Sequence, residues 1–283
     1  MTIPGIHHVT ALASDPQRNL DFYTGFLGLR LVKLTVNFDD PGTYHFYYGD
    51  GSGTPGSIIT FFPCPGASRG RQGAGQVTEV SFSAPRGSLD YWMARLSVTP
   101  DEKGALRFKD PDGLPLSLVV SQDGAGTSLM RFAGVTLTER FAERTGELLT
   151  ATMGYDAGDA GQFNSGQDVV RIDHQPQALA GMMGAGTVHH VAFRAETDQM
   201  QLEWQHLLMR EGLQVTEVLN REYFHSIYFR EPGGVLFEIA TDLPGFTVDE
   251  PLGTLGTHLK LPPWLEPDRA EIERKLPKLR LPQ

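Results

Sequence analysis

The sequence contains almost no cysteine, no long apolar run and no excess of basic residues. Cys64 is the single cysteine among 283 residues, so an internal disulfide and a thiolate metal cluster are both excluded. No apolar run approaches the roughly 18 residues that a membrane-spanning helix requires, and the N-terminus lacks the basic and apolar regions of a signal peptide. We therefore expect a cytoplasmic protein with no membrane partner.

The shortage of positive charge restricts the class of partner. The chain has 24 Lys and Arg against 34 Asp and Glu, which gives a formal net charge of -10. Nucleic acid is not expected as a partner, because binding the phosphate backbone needs clustered basic residues. The hydrophobic content of 40% is sufficient for a sizeable core in one large or two medium domains.

Two similar segments, one near the start and one late in the chain, indicate an internal repeat. The first is Gly5-Ile-His-His-Val-Thr-Ala and the second is Thr187-Val-His-His-Val-Ala-Phe. Each alternates as a short strand does and precedes a helical pattern that ends at a glycine, Gly28 or Gly212.

Weaker copies of the same pattern begin near residues 76 and 132, so the simplest account is four βαβββ modules. We predict an α+β fold with the modules in two paired domains, residues 1–122 and 127–248. Turn-forming residues over 121–127 separate the two pairs. Residues 249–283 are expected to form a C-terminal tail with a short helix.

Strand alternation selects one histidine of each doublet, because adjacent residues on a regular strand face opposite sides of the sheet. The apolar faces should pack under the helices, which leaves His8 and His190 on the concave side. Glu238 faces the same side of the last strand. Two imidazoles and one carboxylate form the set that typically holds non-haem Fe(II) with open coordination positions.

A simpler interpretation of each side chain stays open. A single strand histidine is usually a core or edge residue with its hydrogen bonds satisfied, and a buried Glu238 could pair with an arginine. The repeat favours a metal site, because equivalent positions of two modules both carry a histidine.

The two middle modules serve as an internal control. They place Glu79 and Gly134 at the histidine positions and Ser117 at the position of Glu238, so no second triad can be assembled. Thr60 matches Glu238 in module one, which leaves three ligands rather than four. We predict that modules one and four hold the metal, while modules two and three pair as a scaffold.

The doublets and the segment Pro232-Gly-Gly-Val-Leu-Phe-Glu resemble motifs of the vicinal-oxygen-chelate superfamily, which includes glyoxalases, bleomycin-resistance proteins and extradiol dioxygenases. The resemblance covers most of residues 4 to 265 and is strongest to hydroquinone-type ring-cleaving dioxygenases. It implies curved mixed sheets around a metal cavity, Fe(II) with Mn or Zn as alternative metals, a small aromatic substrate with O₂, and a homo-oligomer.

Tyr228 and Arg221 are the first candidates for substrate chemistry. The parity of Ser226-Ile-Tyr-Phe-Arg directs the Tyr228 hydroxyl into the cavity as an acid or hydrogen-bond donor, and the resemblance places a tyrosine near the iron there. The less favoured alternative is that Tyr228 is a core aromatic with a satisfied hydroxyl. Arg221 matches a cavity arginine of the family and could hold an anionic oxygen, or it could pair with Glu222.

His7, His189 and Thr10 complete the predicted catalytic set. His7 and His189 have the less favourable parity, but strand starts are often bulged, so either could serve as a proton relay beside the metal. Thr10 lies one strand repeat from His8 and could hydrogen-bond near the metal. His45 is a weaker candidate.

Three functions are compatible with this pattern. The first is an Fe(II)-dependent dioxygenase that cleaves a hydroquinone- or catechol-type ring. The second is a glyoxalase-like isomerase or thiol transferase that uses Zn, Ni or Mn, with Glu238 also acting as a base. The third is a resistance protein that binds a planar aromatic without metal, which the triad disfavours.

Overall fold

Residues 1–121, 124–129 and 131–282 are described in a computed structural model of the chain. The strands of the first half are β1 Ile6–Ala13, β2 Arg30–Asn37, β3 Asp40–Gly49, β4 Ile58–Pro63, β5 Gln76–Ala84, β6 Leu106–Lys109 and β7 Pro115–Val120. Those of the second half are β8 Arg131–Glu139, β9 Asp156–Ala157, β10 Gln162–Asn164, β11 Val169–His174, β12 Val188–Ala195, β13 Leu219–Asn220, β14 Phe224–Arg230 and β15 Leu236–Pro244.

The helices are short; α1 to α4 each connect strands of one module, and α5 lies in the C-terminal tail. The α-helices are α1 Pro16–Leu20, α2 Leu89–Leu96, α3 Ala142–Glu147, α4 Asp198–Arg210 and α5 Arg269–Lys275. The π-helical segments are Asp21–Phe26, which continues α1, and Leu148–Thr152, which continues α3. The 3₁₀ segments are Asp159–Gly161, Phe246–Val248, Leu252–Thr254 and Glu266–Asp268. Within the described residues, no helix is long and apolar enough to cross a membrane.

The strands form two mixed sheets, and each sheet contains two modules. The first has the order β13-β14-β15-β12-β1-β4-β3-β2, so it joins modules one and four. The second has the order β6-β7-β5-β8-β11-β10-β9 and joins modules two and three. The predicted α+β fold in curved mixed sheets is confirmed, and modules one and four pair as predicted. Modules one, three and four have the predicted βαβββ order, whereas module two has only two strands, β6 and β7, after α2.

Each sheet contains strands from both predicted domains, residues 1–122 and residues 127–248. Strand pairing joins residues of 1–122 with residues of 127–248 in both sheets, because β1 bonds to β12 and β5 bonds to β8. Close packing of β1 beside β12 buries the apolar faces of both repeats together, which neither half achieves alone. The division into domains stays a prediction about the chain's organisation, and its boundary at residue 122 lies outside the described residues.

The first sheet has an apolar face and a polar face, as its alternation requires. Val9, Val191 and Phe237 are fully buried on the apolar face, and α4 packs against β12, β14 and β15 with Trp204 completely buried. The polar face therefore curves around the cavity, and the side chains of the opposite parity point into it.

One helix begins later than its sequence pattern predicts. The pattern places a helix over residues 138–146, but Thr138 and Glu139 belong to β8 and α3 begins at Ala142. Both residues pair with β11. Strand pairing with a neighbouring segment outweighs the weak local helix propensity there.

Candidate active site

Three side chains of the polar face converge on one point. His8 Nε2 and His190 Nε2 lie 3.3 Å apart, and Glu238 Oε2 lies 3.5 Å from the first nitrogen and 2.9 Å from the second. All three residues are buried, and no other cluster of three or more potential metal ligands is found within the described residues. Ligands at about 2.1 Å from one ion and at right angles to each other would be about 3 Å apart, which matches these separations.

The sheet register brings these residues together from distant parts of the sequence. His8 of β1 pairs with Ala192 of β12, and Ala192 pairs with Glu238 of β15. His190 pairs with Thr10 on the neighbouring row. The parity prediction for the three ligand candidates thus agrees with their placement in the structure.

The other histidine of each doublet also lies on the cavity side, because a β-bulge occurs at each position. The pairing of β1 with β12 shifts between Ile6 and His8 and again between Thr10 and Ala11. His7 Nδ1 lies 2.9 Å from His8 Nδ1, and His189 Nδ1 lies 2.7 Å from His190 Nδ1. An extra residue in one strand redirects the side chain that regular alternation would place on the far face.

These contacts leave the acceptor atoms of His8, His190 and Glu238 free to bind a metal ion. When His8 and His190 donate their Nδ1 protons to the neighbouring rings, their Nε2 lone pairs face the carboxylate of Glu238. Glu238 Oε1 accepts a hydrogen bond from Ser226, but the buried Oε2 makes no hydrogen bond with a described residue. Three buried acceptor atoms that converge without a donor need a cation to compensate them.

The electrostatics agree with neutral imidazoles around an ionised carboxylate. Burial lowers the pKa of His7 well below its usual range, and burial with the adjacent His190 lowers the pKa of His189 to about 3. Burial alone would raise the pKa of Glu238, but positive charge on His8 and His190 holds that pKa well below its usual range. A metal ion bound by neutral imidazoles would supply the same positive charge. A neutral His7 or His189 can accept a hydrogen bond from the Nδ1–H of its ligand neighbour, whereas an imidazolium cannot.

Tyr228 and Arg221 form one wall beside this cluster. The Tyr228 ring lies 5.7 Å from the ring of His190, edge to face, and the Arg221 guanidinium lies 5.5 Å from the centre of the Tyr228 ring. Arg221 also pairs with Asp39 at 3.1 Å. Burial alone would lower the pKa of Arg221, but Tyr228 and Asp39 raise it above its usual value. Within the described residues Arg221 forms its ion pair with Asp39 and not with the predicted alternative partner, Glu222.

A chain of hydrogen bonds forms the opposite wall. Thr10 Oγ1 lies 2.8 Å from Thr60 Oγ1, and Thr60 Oγ1 lies 2.8 Å from His45 Nε2. Thr60 pairs with Thr10 in the sheet as Glu238 pairs with Ala192. The structure thus places a threonine at the module-one position that corresponds to the carboxylate.

These walls enclose a cavity of about 510 Å³. The side chains that line it include the triad histidines and, besides the predicted residues, several that sequence reasoning missed: Phe38, Asp39, Tyr47, Phe62 and Phe224. His7 does not line the cavity directly and contacts the Phe224 ring at 5.2 Å. The aromatic residues gave no clear signal in the sequence, since aromatic rows of this kind usually belong to a core.

The equivalent place in the second sheet holds an ion pair instead. Ser81 and Ser117 pair across β5 and β7 and share a hydrogen bond of 2.7 Å. Glu79 forms a salt bridge with Arg107 and accepts a hydrogen bond from Ser117. A guanidinium therefore supplies the positive charge that the first sheet lacks.

Comparison with known proteins identifies the family. The family model described as the Glyoxalase/Bleomycin resistance protein/Dioxygenase superfamily matches residues 5–87 and 134–239. The chain belongs to this superfamily. It is 45% identical to a Bacillus subtilis strain 168 protein named "Putative ring-cleaving dioxygenase MhqO", over 96% of this chain and 95% of that protein.

Two further relatives support the same class. The chain is 32% identical to the chlorohydroquinone/hydroquinone 1,2-dioxygenase of Sphingobium indicum, over 97% of this chain and 96% of that protein. A crystal structure of a "putative dioxygenase" from B. subtilis superposes with a TM-score of 0.95 and 42% identity, covering 100% of this chain and 99% of the other. The chain is accordingly an enzyme of the ring-cleaving dioxygenase class.

Proposed function

We propose that the protein is an Fe(II)-dependent dioxygenase that cleaves a hydroquinone- or catechol-type ring. The observation that carries this proposal is the three-ligand cluster of His8, His190 and Glu238 beside a cavity, with Thr60 where a fourth ligand would stand. A site with three protein ligands keeps positions open for a substrate and O₂. The relative whose name specifies hydroquinone supports this substrate class.

The residues fit Fe(II), and His8, His190 and Glu238 would hold it. When bound, Fe(II) supplies the redox chemistry that couples an electron-rich ring to O₂. His7 and His189 fix the orientation of the two ligand rings through their Nδ1 contacts. Mn and Zn are the alternative metals, since the same ligand types bind them.

The other cavity residues hold protons and exclude water. Tyr228 presents a hydroxyl that can donate a proton to an oxygen of the substrate, and Arg221 beside it can stabilise negative charge on that oxygen. Thr10 offers a hydroxyl from the opposite wall. The rings of Phe62 and Phe224 keep the reacting ring in an apolar surrounding, where these polar contacts are stronger than in water.

Anaerobic metal loading of the wild type and of two variants tests the proposal. Glu238→Ala removes the anionic ligand, so bound iron and oxygen uptake with hydroquinones should both fall to background. Glu79→Gln changes the position of the second sheet that corresponds to His8, outside the proposed metal site, and should keep both near wild-type values. Iron is measured by elemental analysis and turnover by oxygen consumption.

The outcomes separate the three functions. If Glu238→Ala retains iron and activity, the proposed metal ligands are wrong. Conversion of a thiol adduct without oxygen uptake would instead establish a glyoxalase-like isomerase or transferase. Tight binding of an aromatic by wild-type protein that takes up no metal would establish the metal-free resistance function.

Two properties of the whole molecule stay predictions. A homo-oligomer is expected, which sedimentation velocity of the purified protein tests. A cytoplasmic location is expected, which fractionation of cells that express the protein tests.

A further inference from the structure

His45 lines the cavity from β3, near one edge of the first sheet, whereas Tyr228 lies on β14 near the other edge. It lies on β3, which is separated from β1 by β4 in the sheet. Adjacent strands are about 4.8 Å apart, so His45 is about two strand spacings from the strand that carries His8. His45 thus lies outside the strands that carry the three metal-ligand candidates, on the side of the sheet away from β14 and Tyr228.

The ring of His45 is held in one orientation by its neighbours. Its centroid lies 4.0 Å from that of Tyr47 and 4.3 Å from that of Phe62. Thr60 engages its Nε2, and Thr10 engages Thr60 in turn. His45 Nδ1 makes no hydrogen bond within the described residues, although the residue lines the cavity.

The free ring nitrogen suits a phenolic hydroxyl. Burial is the largest cause that lowers the pKa of His45 well below its usual range, so the ring is neutral. If Nε2 accepts from Thr60, Nδ1 carries the proton and donates; if Nε2 donates, Nδ1 accepts. A phenol can both donate and accept, so it is a partner for either tautomer.

We propose that His45 binds the ring hydroxyl that lies farthest from the metal, with Thr60 and Thr10 fixing the orientation of its imidazole. This proposal rests on the proposed ring-cleaving function and refines its substrate class. Hydroquinone carries its second hydroxyl on the opposite side of the ring, so one hydroxyl can face the metal ligands while the other faces His45. Catechol gathers both hydroxyls on one side, so His45 selects para-dihydroxylated rings.

Ligand binding to protein loaded with Zn(II), which has no redox chemistry, tests this inference without turnover. Calorimetry under anaerobic conditions compares hydroquinone with phenol, which lacks the second hydroxyl. A neutral hydrogen bond should make the wild type bind hydroquinone about fivefold more tightly than phenol. His45→Phe keeps an aromatic ring between Tyr47 and Phe62 and should bring this ratio close to one.

Two threonine variants complete the design. Thr60→Val removes the hydroxyl that orients His45 and should also reduce the ratio. Thr35→Val is the matched control, because Thr35 is buried opposite His45 on β2 and its hydroxyl has no hydrogen-bond partner within the described residues. Thr35→Val should therefore keep the wild-type ratio.

The result that overturns the inference is an unchanged hydroquinone-to-phenol ratio in both His45→Phe and Thr60→Val. Failure of the proposed function would appear elsewhere, as an iron-loaded wild type that consumes no oxygen with any hydroquinone or catechol. A wild type that turns over hydroquinone, with variants that keep the ratio, therefore rejects the role of His45 alone.

Discussion

Among the single residues of the cavity, Tyr228 is best suited to deliver a proton. Burial and the nearby Glu238 raise the pKa of Tyr228 above its usual value, and Arg221 opposes this only in part. The hydroxyl is consequently protonated at neutral pH and can act as a donor. Its ring packs against His190, so the hydroxyl lies close to the ligand cluster.

Replacing Tyr228 by Phe should separate metal binding from proton delivery. The ring and its packing remain, so bound iron should stay at the wild-type level. Turnover should fall by roughly 10²–10⁴-fold, as expected for loss of a general acid. Oxygen uptake with substituted hydroquinones measures turnover, and elemental analysis measures iron.

Tyr91→Phe is the control, because Tyr91 is an exposed residue of α2. It should retain both properties. Full activity of Tyr228→Phe would exclude a catalytic hydroxyl there, and His189 would become the leading proton donor.

The sequence predicts the direction of a site side chain only where the strand alternates regularly. Alternation correctly directs His8, His190 and Glu238 toward one face, because their strands are regular at these positions. It assigns His7 and His189 to the opposite face, but a β-bulge at each of these residues turns the side chain toward the cavity face. Alternation cannot locate a bulge, since one extra residue depends on the partner strand as much as on the strand itself.

At the scale of elements, β2 is attached to the C-terminal tail by a buried ion cluster. Lys33 of β2 is fully buried and forms salt bridges with Asp249 and Glu250. Tyr223 donates a hydrogen bond to Asp249, and the Lys33 ammonium lies 4.9 Å from the centre of the Tyr223 ring. The cluster connects the edge strand of module one with the loop that follows β15.

Lys33→Met should destabilise the protein strongly. The methionine fills similar space, but it leaves two carboxylates near the interior without a cation, which costs about 3–5 kcal/mol. Chemical denaturation measures the loss in the free energy of unfolding.

Lys275→Met provides the comparison, because Lys275 pairs with Glu271 on the exposed surface of α5. Its removal should change stability by less than about 0.5 kcal/mol. Equal effects of the two variants would show that the buried cluster contributes no more than a surface pair.

The order of the strands decides which side chains become neighbours, and the sequence contains little information about it. Helical and strand periodicity identifies the elements of each module but not that β4 lies between β1 and β3. This order brings Thr60 into contact with both Thr10 and His45. For this reason the sequence ranks His45 as a weak candidate, although it lines the same cavity as the triad.

At the scale of the whole molecule, buried carboxyl groups lie where modules three and four meet. Glu139 at the end of β8 is completely buried, and neither of its oxygens has a hydrogen-bond partner within the described residues. Glu231, in the turn before β15, accepts hydrogen bonds from Thr145 and from the amides of Gly233 and Val235. Burial, followed by the charge of Glu231, raises the pKa of Glu139 to about 8.

This carboxyl should make the stability of the whole molecule depend on pH. In an unfolded chain a glutamate titrates near pH 4.3, whereas folded Glu139 stays protonated to about pH 8. Its stabilising contribution is therefore fully present below about pH 4.3 and is lost as the pH rises toward 8. Within this window the free energy of unfolding should fall by about 1.4 kcal/mol per pH unit from this group.

Glu139→Gln keeps the shape of the side chain but removes the titration, so the fall between about pH 5 and pH 8 should become shallower by this amount. Denaturation midpoints at several pH values measure the slope. Glu147→Gln, at an exposed position of α3, should keep the wild-type slope. A Glu139→Gln slope equal to that of wild type would mean that folded Glu139 ionises as an ordinary glutamate does. The junction of modules three and four would then contain a compensating cation or donor that binds to its buried oxygens.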